Sequence, residues 1–450
     1  MKKLGALYSV SKDMLTQADL DRLSKELIIE SRENKLYFAD KKQINLLYDH
    51  GDYISVPRAY GLRYFGAPLQ SELAYGDEVN IAFRGTLRDD QPRIVETVLA
   101  QRYPNGLISM PCGSGKTVVA IKIITELKTR ALVLVHKEFL LDQWRDRFLE
   151  FTNLDANSIG IIQGKKCEFD KPVSIGMVQS ISKKEYPAEF YRAFGLLCCD
   201  ETHRMAAPVF RLCLDKFPAA SRIGLSATLS RSDGLDKVFR YHLGEIIASA
   251  FGQKLTPEVF VFKYKADLPR WYYFKDKDKD EEDPENQKVN MPGAITDLCN
   301  LETRNDLIAR VVAQAIDKQR KILILSDRLE HLNILEAKIK KLRPGATTGK
   351  YIGGMKDAER RASAQCQVIF GSYGISREGL DIPALDCLVL GSPRGGLQQS
   401  IGRILRELPC KKPPVVVDIA DESDQLAELK MLSDNRRKFY ERNRYTIKDF

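Results

Sequence analysis

The sequence predicts an α/β protein in which two successive domains are built on parallel sheets and a small α+β domain precedes them. From about Thr86, short apolar strands alternate with amphipathic helical stretches, which is typical of βαβ units in a parallel sheet. The alternation stops at the polar interval "KDKDKDEEDPENQ", which has no apolar residue and cannot belong to a core, and then starts again. The chain of 450 residues is long enough for roughly two or three domains.

The first 85 residues differ from the rest of the chain. They contain one helical stretch, "QADLDRLSKELIIE", followed by aromatic and strand-like pieces, "KLYFA", "DYISVP" and "GLRYFG". Acidic and basic residues are about balanced here. We expect residues 1–85 to form a separate accessory α+β domain.

Two series of strands and helices follow this segment. Residues 86–250 hold the first series: "GLISM", "VVAIKIITELK", "ALVLVH", "FLLDQWRDRFLEF", "PVSIGMV", "GLLCCDE" and "RIGLSAT". Residues 251–450 hold the second: "KILILS", "RLEHLNILEAKIKKL", "CQVIFGS", "LDCLVLGS", "LQQSIGRILREL" and "PPVVVDIA". Each series predicts one parallel-sheet domain.

Composition excludes several classes of protein. Hydrophobic residues make up 44% and charged residues 29%, as in a globular protein. We find no apolar run of about 18 residues and no leader segment, so we expect a cytoplasmic protein that does not enter a membrane. The nine cysteines include no C-x-x-C pair and predict reduced core thiols. The net charge of +9 is compatible with a polyanionic partner without proving one.

The stretch "SMPCGSGKTVVAI" follows a predicted strand and opens a predicted helix, which is the context of a phosphate-binding loop. Met110 stands where the general pattern has its first glycine. Backbone N–H groups of the loop would face phosphate at the helix N-terminus, Lys116 would reach the β- and γ-phosphates, and the Thr117 hydroxyl would hold Mg²⁺. The predicted nucleotide-binding residues of the loop are Gly113, Ser114, Gly115, Lys116 and Thr117. The alternative, a glycine-rich turn with an incidental lysine, weakens when an acidic pair appears downstream.

That acidic pair is Asp200-Glu201, which follows the apolar strand "FGLLCC". A carboxylate at the end of a parallel strand projects into the crevice where ligands bind. We therefore predict that Asp200 meets the metal and that Glu201 orients the attacking water. His203 completes the sequence "DETH"; it is either a structural hydrogen-bonding histidine or a functional residue beside the metal carboxylate.

Hydrolysis also needs positive charge at the γ-phosphate as the transition state forms. The segment "QQSIGRILR" places Arg403 and Arg406 three residues apart, hence on one helical face, where two guanidiniums suit phosphate oxygens. The alternative is two surface arginines on an amphipathic helix. The catalytic assignment holds only if the second domain closes on the first.

These elements, in this order, resemble the superfamily-two helicase and translocase motor, which is built from two RecA-like lobes. The resemblance runs from about Leu87 to Ala420 and rests on "LRDDQ", "MPCGSGKT", "VLVHKEFLLDQW", "VSIGMVQS", "DETH", "LSAT", "ILILSDR", "GSYGISREGLDIPALD" and "QQSIGRILR". The wording is similar to the DNA-directed group that includes UvsW, XPB and RecG rather than to DEAD-box RNA helicases. Thr202 replaces the alanine of a DEAH sequence, and Leu229 replaces the proline that often follows "SAT".

The resemblance implies roles for further residues. Gln91 would recognise adenine, and Asp381 would lie near the nucleotide sugar. The residues implied to couple phosphate loss to lobe movement are His203, Ser226, Thr228 and Gln399. Those implied to lie along the nucleic-acid path, mostly contacting phosphates, are His136, Lys137, Gln179, Ser180, Arg328 and Ser372. For each of these the alternative is an ordinary polar surface residue.

The sequence thus predicts a motor that uses ATP and Mg²⁺ to unwind or branch-migrate forked and junction DNA in replication, recombination or repair. The alternatives are an RNA helicase, a nucleotide-dependent DNA clamp without net movement, and the motor subunit of a restriction system. We expect residues 1–85 to bind DNA and to supply junction preference. In that segment Tyr53, Tyr60, Tyr64 and Phe65 are interleaved with Arg58 and Arg63, a mixture that either stacks on unpaired bases or simply packs a core.

Overall fold

The computed structural model describes residues 1–31, 43–88, 90–111, 113–206, 208–227, 233–250, 255–268, 272–275, 287–374, 382–405 and 410–450. It forms two compact units, one within residues 1–252 and the other within residues 253–450. Most of the predicted polar interval lies outside the described residues.

The first unit begins with a five-stranded sheet and two helices. In sheet order the strands are Tyr48–Asp49, Tyr53–Pro57, Leu7–Ser11, Lys2–Leu4 and Gln70–Ser71. The helices are Gln17–Leu27 and Arg58–Phe65, with a 3₁₀ turn at Lys12–Met14 and a separate strand pair, Ile28–Glu30 with Gln43–Asn45. A capping box between Thr16 and Asp19 begins the first helix, because each side chain satisfies the other's free backbone N–H.

In this region the predicted helical stretch is confirmed except at its end, the expectation for "GLRYFG" was wrong, and the piece "KLYFA" lies outside the described residues. The helix in "QADLDRLSKELIIE" ends at Leu27, and its last three residues form a strand, as β-branched isoleucines favour. The piece "GLRYFG" is helical, not strand-like. Gly61 explains its packing, since a Cβ there would lie 2.3 Å from the Cβ of Tyr8 on the neighbouring strand.

This N-terminal region shares one hydrophobic core with the larger sheet that follows. Arg58 is 3% exposed and donates hydrogen bonds to the carbonyl oxygens of Ala219 and Ala220, at 2.5 and 2.7 Å. The buried Arg222 donates in return to the carbonyl of Ala6 at 2.8 Å. Burial and the charge of Arg222 hold the pKa of Arg58 well below its usual value. Two buried guanidiniums therefore connect the two sheets of the first unit.

The larger sheet of the first unit has eight strands, all parallel to their neighbours except the edge strand Lys166–Cys167. In sheet order they are Lys166–Cys167, Ile159–Gln163, Val173–Met177, Ala131–Val135, Leu196–Cys199, Ser221–Ser226, Asn105–Ser109 and Ile246–Ser249. The helices are Gln91–Leu99, Lys116–Leu127, Glu138–Phe151, Val178–Lys183, Ala188–Arg192, Pro208–Lys216 and Asp236–Leu243, with a 3₁₀ helix at Thr202–Ala206. Because the strands are parallel, the segments that follow them meet at one edge of the sheet.

The second unit has a seven-stranded sheet that is parallel throughout. In sheet order its strands are Thr348–Tyr351, Val368–Ser372, Ile322–Ser326, Cys387–Leu390, Val415–Glu422, Glu258–Lys265 and Thr446–Asp449. The helices are Met291–Asn300, Glu302–Asp317, Leu329–Leu342, Asp357–Gln365, Gln398–Gly402 and Ala427–Arg442, and a strand pair joins Tyr273–Lys275 with Gln287–Val289. The predicted class, α/β with two parallel-sheet lobes after a small N-terminal region, is confirmed.

Candidate functional site

The predicted phosphate-binding loop connects strand Asn105–Ser109 to helix Lys116–Leu127. Gly113 and Gly115 have φ of 81° and 82°, in the left-handed region that favours glycine. A Cβ on Gly115 would also lie 2.4 Å from the amide nitrogen of Gln91. The glycines let the chain turn tightly into the helix, whose N-terminal N–H groups and dipole form an anion site.

Asp200 directly follows the fully buried strand Leu196–Cys199 and is itself 7% exposed. Its Oδ1 accepts a hydrogen bond from the backbone N–H of Glu201, and its Oδ2 accepts one from Trp144 Nε1, both at 2.9 Å. Burial, followed by the charge of Glu201, raises the pKa of Asp200, and the ammonium of Lys116 opposes that rise. An additional cation beside this carboxylate would therefore stabilise its ionised form.

Glu201 has a φ of 47°, which costs a non-glycine residue about 1–3 kcal/mol. Its Oε1 lies 3.4 Å from Lys116 Nζ, and both side chains are mostly buried. Its Oε2 lies 3.3 Å from Nδ1 of His203. The strained backbone therefore accompanies a carboxylate that contacts both the loop lysine and the histidine.

His203 continues this chain of contacts, since its Nδ1 also lies 3.2 Å from Oγ of Ser226, at the end of the next strand. The structure thus brings together Lys116, Glu201, His203 and Ser226 at one edge of the sheet. This continuity could not be derived from the spacing of the motifs.

Thr202 has a structural role that sequence reasoning missed. Its buried hydroxyl lies 3.0 Å from the carbonyl oxygen of Cys199 and 3.1 Å from that of Leu225, on adjacent strands. A Cβ on Gly224 would come within 2.6 Å of this hydroxyl. The only signal in the sequence was that threonine stands where the motif has alanine.

Gln91, the first residue of helix Gln91–Leu99, is 1% exposed. Its Nε2 donates to the carbonyl of Ser114 at 2.7 Å, and its Oε1 accepts from the backbone N–H of Arg88 at 2.9 Å. The structure therefore places its amide on the phosphate-binding loop, where it holds the loop against the helix.

Four residues expected on the nucleic-acid path lie after two adjacent strands, Ala131–Val135 and Val173–Met177. His136 is buried, and its carbonyl accepts a hydrogen bond from Gln179 Nε2 at 2.7 Å. The hydroxyl of Ser180 accepts from a backbone N–H at 3.0 Å. Lys137 is the N-cap residue of helix Glu138–Phe151. These four residues therefore lie close to one another where the two adjacent strands end.

In the second unit, Arg328 lies two residues after strand Ile322–Ser326, and Ser372 is the last residue of the adjacent strand Val368–Ser372. Arg328 donates from Nε to Thr296 Oγ1 at 2.8 Å and from Nη2 to the carbonyl of Pro292 at 2.7 Å. The guanidinium of this residue is therefore engaged with helix Met291–Asn300.

Arg403 is the C-cap of helix Gln398–Gly402. Thr228, Asp381 and Arg406 lie outside the described residues, as does the side chain of Gln399. Because this helix ends at Gly402 and residues 403–405 are not helical, the expected helix through both arginines was wrong in its described part, while their role at the nucleotide stays a prediction.

Within the described ranges, no group of three or more His, Cys, Asp and Glu side chains could hold a metal ion by itself. The same ranges contain no helix with the length and apolar character needed to cross a membrane.

Comparison with known proteins agrees with this geometry. Residues 84–231 match the family described as "Type III restriction enzyme, res subunit". The chain is 31% identical over 454 residues to "Putative ATP-dependent RNA helicase L396" of Acanthamoeba polyphaga mimivirus, covering 98% of this chain and 85% of that protein. It is 27% identical over 321 residues to "DNA 3'-5' helicase XPB" of Kineococcus radiotolerans, covering 67% of this chain and 54% of that protein.

A solved fragment of a putative HsdR subunit of a type I restriction enzyme from Vibrio vulnificus YJ016 has a similar fold. The TM-score is 0.56 at 18% identity, over 82% of this chain and 69% of that one. At this identity the likeness concerns the fold alone.

A phosphate-binding loop and an Asp-Glu pair at the ends of parallel strands define a nucleotide-hydrolysing enzyme. The chain belongs to the superfamily-two helicases, as its 31% identity to the mimivirus relative over 98% of this chain and 85% of that protein shows. The family predicted from the sequence is thereby confirmed, and with it the use of ATP and of a nucleic acid.

Proposed function

We propose that the chain is an ATP-dependent DNA helicase or translocase that remodels forked and branched DNA. The observation that carries the ATP-driven part of this proposal is the series of contacts from Lys116 through Glu201 and His203 to Ser226, with distances of 3.4, 3.3 and 3.2 Å. This series links the phosphate-binding loop to the end of a neighbouring strand. A change at the γ-phosphate therefore has a short path to the rest of the sheet edge.

In the proposed mechanism, the backbone N–H groups of the loop from Gly113 to Thr117 bind the phosphates of ATP. Lys116 balances their charge, and in the ATP-bound state its ammonium exchanges Glu201 for phosphate oxygens. Glu201 is then available to orient the attacking water. Its strained backbone holds the carboxylate beside the loop.

The donor set at this site fits Mg²⁺. The hydroxyl of Thr117 and the carboxylate of Asp200 are oxygen ligands of the kind that Mg²⁺ prefers beside phosphates. The buried Asp200, with its raised pKa, is a group whose ionised form a cation stabilises. When bound, Mg²⁺ would neutralise charge that develops on the phosphate oxygens.

We further propose that Arg403 and Arg406 act on the nucleotide when the second unit closes on the first. Nucleic acid bound to both units would favour the closed state by its differential affinity. The expected nucleic-acid path includes Lys137 in the first unit and Arg328 in the second. Its residues would contact phosphates of the nucleic acid and position the strand without sequence preference.

RNA is the second candidate substrate, because the mimivirus relative carries the words "RNA helicase". The XPB relative is instead described as a DNA helicase, and the motif wording favours DNA. We therefore propose DNA as the substrate.

The N-terminal region contributes to the proposal through a groove, whose lining includes Tyr60, Tyr64 and Phe65. Tyr60 is buried and donates to Glu26 at 2.7 Å, and Tyr64 donates to Asp19 at 2.8 Å. Arg58 is buried as described above. All three side chains therefore make hydrogen bonds within the first unit, and Tyr60 and Tyr64 also line the groove.

The groove has a volume of about 1000 Å³ and lies where helix Arg58–Phe65 meets helix Asp236–Leu243. Basic side chains line it from both parts of the first unit: Lys2, Arg22, Arg63, Lys237 and Arg240. Asp19, Glu26 and Glu245 offset part of this charge. We propose that the groove contacts the phosphates of branched DNA.

The proposed substrate is tested by measuring ATPase stimulation with single-stranded DNA and RNA, and unwinding on forks, four-way junctions and tailed duplexes of both polarities. DNA should stimulate turnover more than RNA, and branched substrates should be unwound best. Stronger stimulation by RNA would establish the second candidate instead.

The groove is tested with the double variant Arg63→Gln, Lys237→Gln. Both side chains are exposed. We expect weaker binding to forked DNA and a shallower dependence of the binding constant on salt concentration, by an amount equivalent to about two phosphate contacts. Lys3→Gln, Lys12→Gln removes the same charge outside the groove and should leave fork binding unchanged. An equal loss of fork binding in the two double variants would refute the proposal that the groove contacts DNA.

A further inference from the structure

The indole of Trp144 makes a direct contact with the proposed metal carboxylate. Trp144 is 1% exposed, and its Nε1–H donates to Oδ2 of Asp200 at 2.9 Å. The two residues are 56 positions apart in the sequence, so no motif spacing predicts the contact. Trp144 lies on helix Glu138–Phe151, and Asp200 follows the central strand Leu196–Cys199.

The chemistry of this contact is restrictive. An indole N–H can donate but cannot accept, so it favours the ionised carboxylate. The other oxygen of Asp200 already accepts from the backbone N–H of Glu201 at 2.9 Å. Each oxygen therefore has one donor from the protein, and these two bonds fix the plane of the carboxylate. The remaining lone pairs keep a defined direction in which a cation can bind.

Packing alone does not account for the choice of acceptor. A buried indole N–H needs some partner, and a backbone carbonyl would satisfy it without involving the nucleotide site. Leu140, Leu141 and Phe148 of the same helix are also buried and anchor it to the core. The helix begins directly after His136 and Lys137, so Trp144 connects the expected nucleic-acid path with Asp200.

We propose that Trp144 is a positioning residue, which holds the Asp200 carboxylate in the orientation that binds Mg²⁺. The inference rests on the metal-binding role of Asp200 in the proposed function. It predicts that losing the N–H weakens Mg²⁺ binding more than it weakens nucleotide binding.

The first test is Trp144→Phe, which keeps an aromatic ring and removes the donor. The Mg²⁺ concentration for half-maximal ATPase should rise about 10-fold, the range typical for the loss of a hydrogen bond to a metal ligand. Nucleotide affinity measured in EDTA should be unchanged. The control Phe148→Leu perturbs the ring that packs against Trp144, with centroids 5.8 Å apart, and should lower thermal stability without changing the Mg²⁺ dependence. An unshifted midpoint in Trp144→Phe, or the same shift in the control, overturns the inference.

A second measurement leaves Trp144 intact. The chain has two tryptophans, so Trp271→Phe makes Trp144 the sole indole fluorophore. Its emission should change when Mg²⁺ is added to the nucleotide-bound protein, with the same midpoint as the ATPase. Emission that does not respond to Mg²⁺ also overturns the inference.

Asp200→Asn separates this inference from the proposed function. If Asp200→Asn does not alter the Mg²⁺ dependence, the role of Asp200 itself is wrong. If it abolishes Mg²⁺-dependent turnover while Trp144→Phe behaves as wild type, only the role of Trp144 is overturned.

Discussion

The two parallel sheets of this chain are built in the same way, yet different side chains follow their strands. At the edge of the first sheet, Lys116 opens a helix after a glycine loop, and the buried Asp200 and the partly buried Glu201 follow the strand Leu196–Cys199. At the edge of the second sheet, the backbone N–H of Asp327 donates to Ser392 Oγ at 3.0 Å. The side chain of Asp327 pairs with Arg394.

This difference teaches that a parallel sheet provides the place for a site and the segments after its strands decide the chemistry. The first edge combines a phosphate-binding loop with acidic groups suited to Mg²⁺ and water. The second edge carries serine hydroxyls and arginines, which are groups of the kind that bind phosphate oxygens, and in this structure Arg328 and Arg394 contact protein groups. In the proposed function, the first unit binds and cleaves ATP, and both units respond to nucleic acid.

The largest effect should come from Lys116→Ala in the first unit. Removing this ammonium takes away charge at the β- and γ-phosphates in the ground state and in the transition state. We expect kcat/KM for ATP hydrolysis to fall about 1,000-fold, since one electrostatic donor in such a site contributes that much. Steady-state ATPase assays measure this, and near-normal turnover would contradict the assignment of the first edge.

Glu201→Gln should have a smaller effect of a different kind. The amide cannot orient and polarise water as a carboxylate does, so we expect kcat to fall about 100-fold while nucleotide still binds well. Equilibrium binding of a fluorescent ATP analogue, together with single-turnover hydrolysis, distinguishes this result from that of Lys116→Ala. Turnover comparable to wild type would show that another group orients the water.

The smallest effect concerns one buried histidine in each unit. Burial lowers the pKa of His242 from 6.5 to about 4 and that of His331 from 6.5 to about 3. Because each folded pKa is depressed, the unfolded chain binds the proton first as pH falls. Each histidine therefore reduces the free energy of unfolding as pH falls from about 6.5 to the folded pKa.

The two histidines should differ when replaced. His331 has two hydrogen-bonding contacts, with Ser326 and Asn305 at 3.0 and 2.9 Å, so His331→Leu should cost about 1–3 kcal/mol at pH 7.5 and less at pH 5, where the variant also lacks the unfavourable proton linkage. Neither ring nitrogen of His242 has a hydrogen-bond partner among the described residues, although Asp215 lies 3.5 Å away and Arg211 and Arg222 are near. His242→Leu should therefore mainly flatten the pH dependence. Urea denaturation at pH 7.5 and pH 5 measures the free energy of unfolding of each variant. Equal losses of this free energy in the two variants at pH 7.5 would contradict the expected difference.

The sequence was sufficient to predict the two sheets and the segments at their edges, because strands, glycines and acidic pairs are local signals. It was not sufficient for contacts between distant residues. The bond from Trp144 to Asp200 and those from Arg58 to two carbonyls more than 160 positions away depend on how the helices pack. The same is true of Met110, whose side chain is fully buried in the core although the motif pattern offers a glycine there.

Backbone strain was also beyond sequence analysis. Nothing in "DETH" indicates that Glu201 has a positive φ. The burial of Arg58 further corrects the expectation that it could face DNA. It also means that a shortened chain starting at residue 86 would expose the core that the N-terminal region covers.

In the proposed function, the arginines of the second unit act on ATP held by the first unit when nucleic acid is bound. The most direct measurement is the DNA-stimulated ATPase rate of the full chain compared with Arg403→Ala and Arg406→Ala, with nucleotide affinity measured alongside. The account predicts that each variant binds nucleotide nearly as well as wild type and that its rate with DNA falls to the rate without DNA. Variants that keep the full DNA stimulation would contradict it.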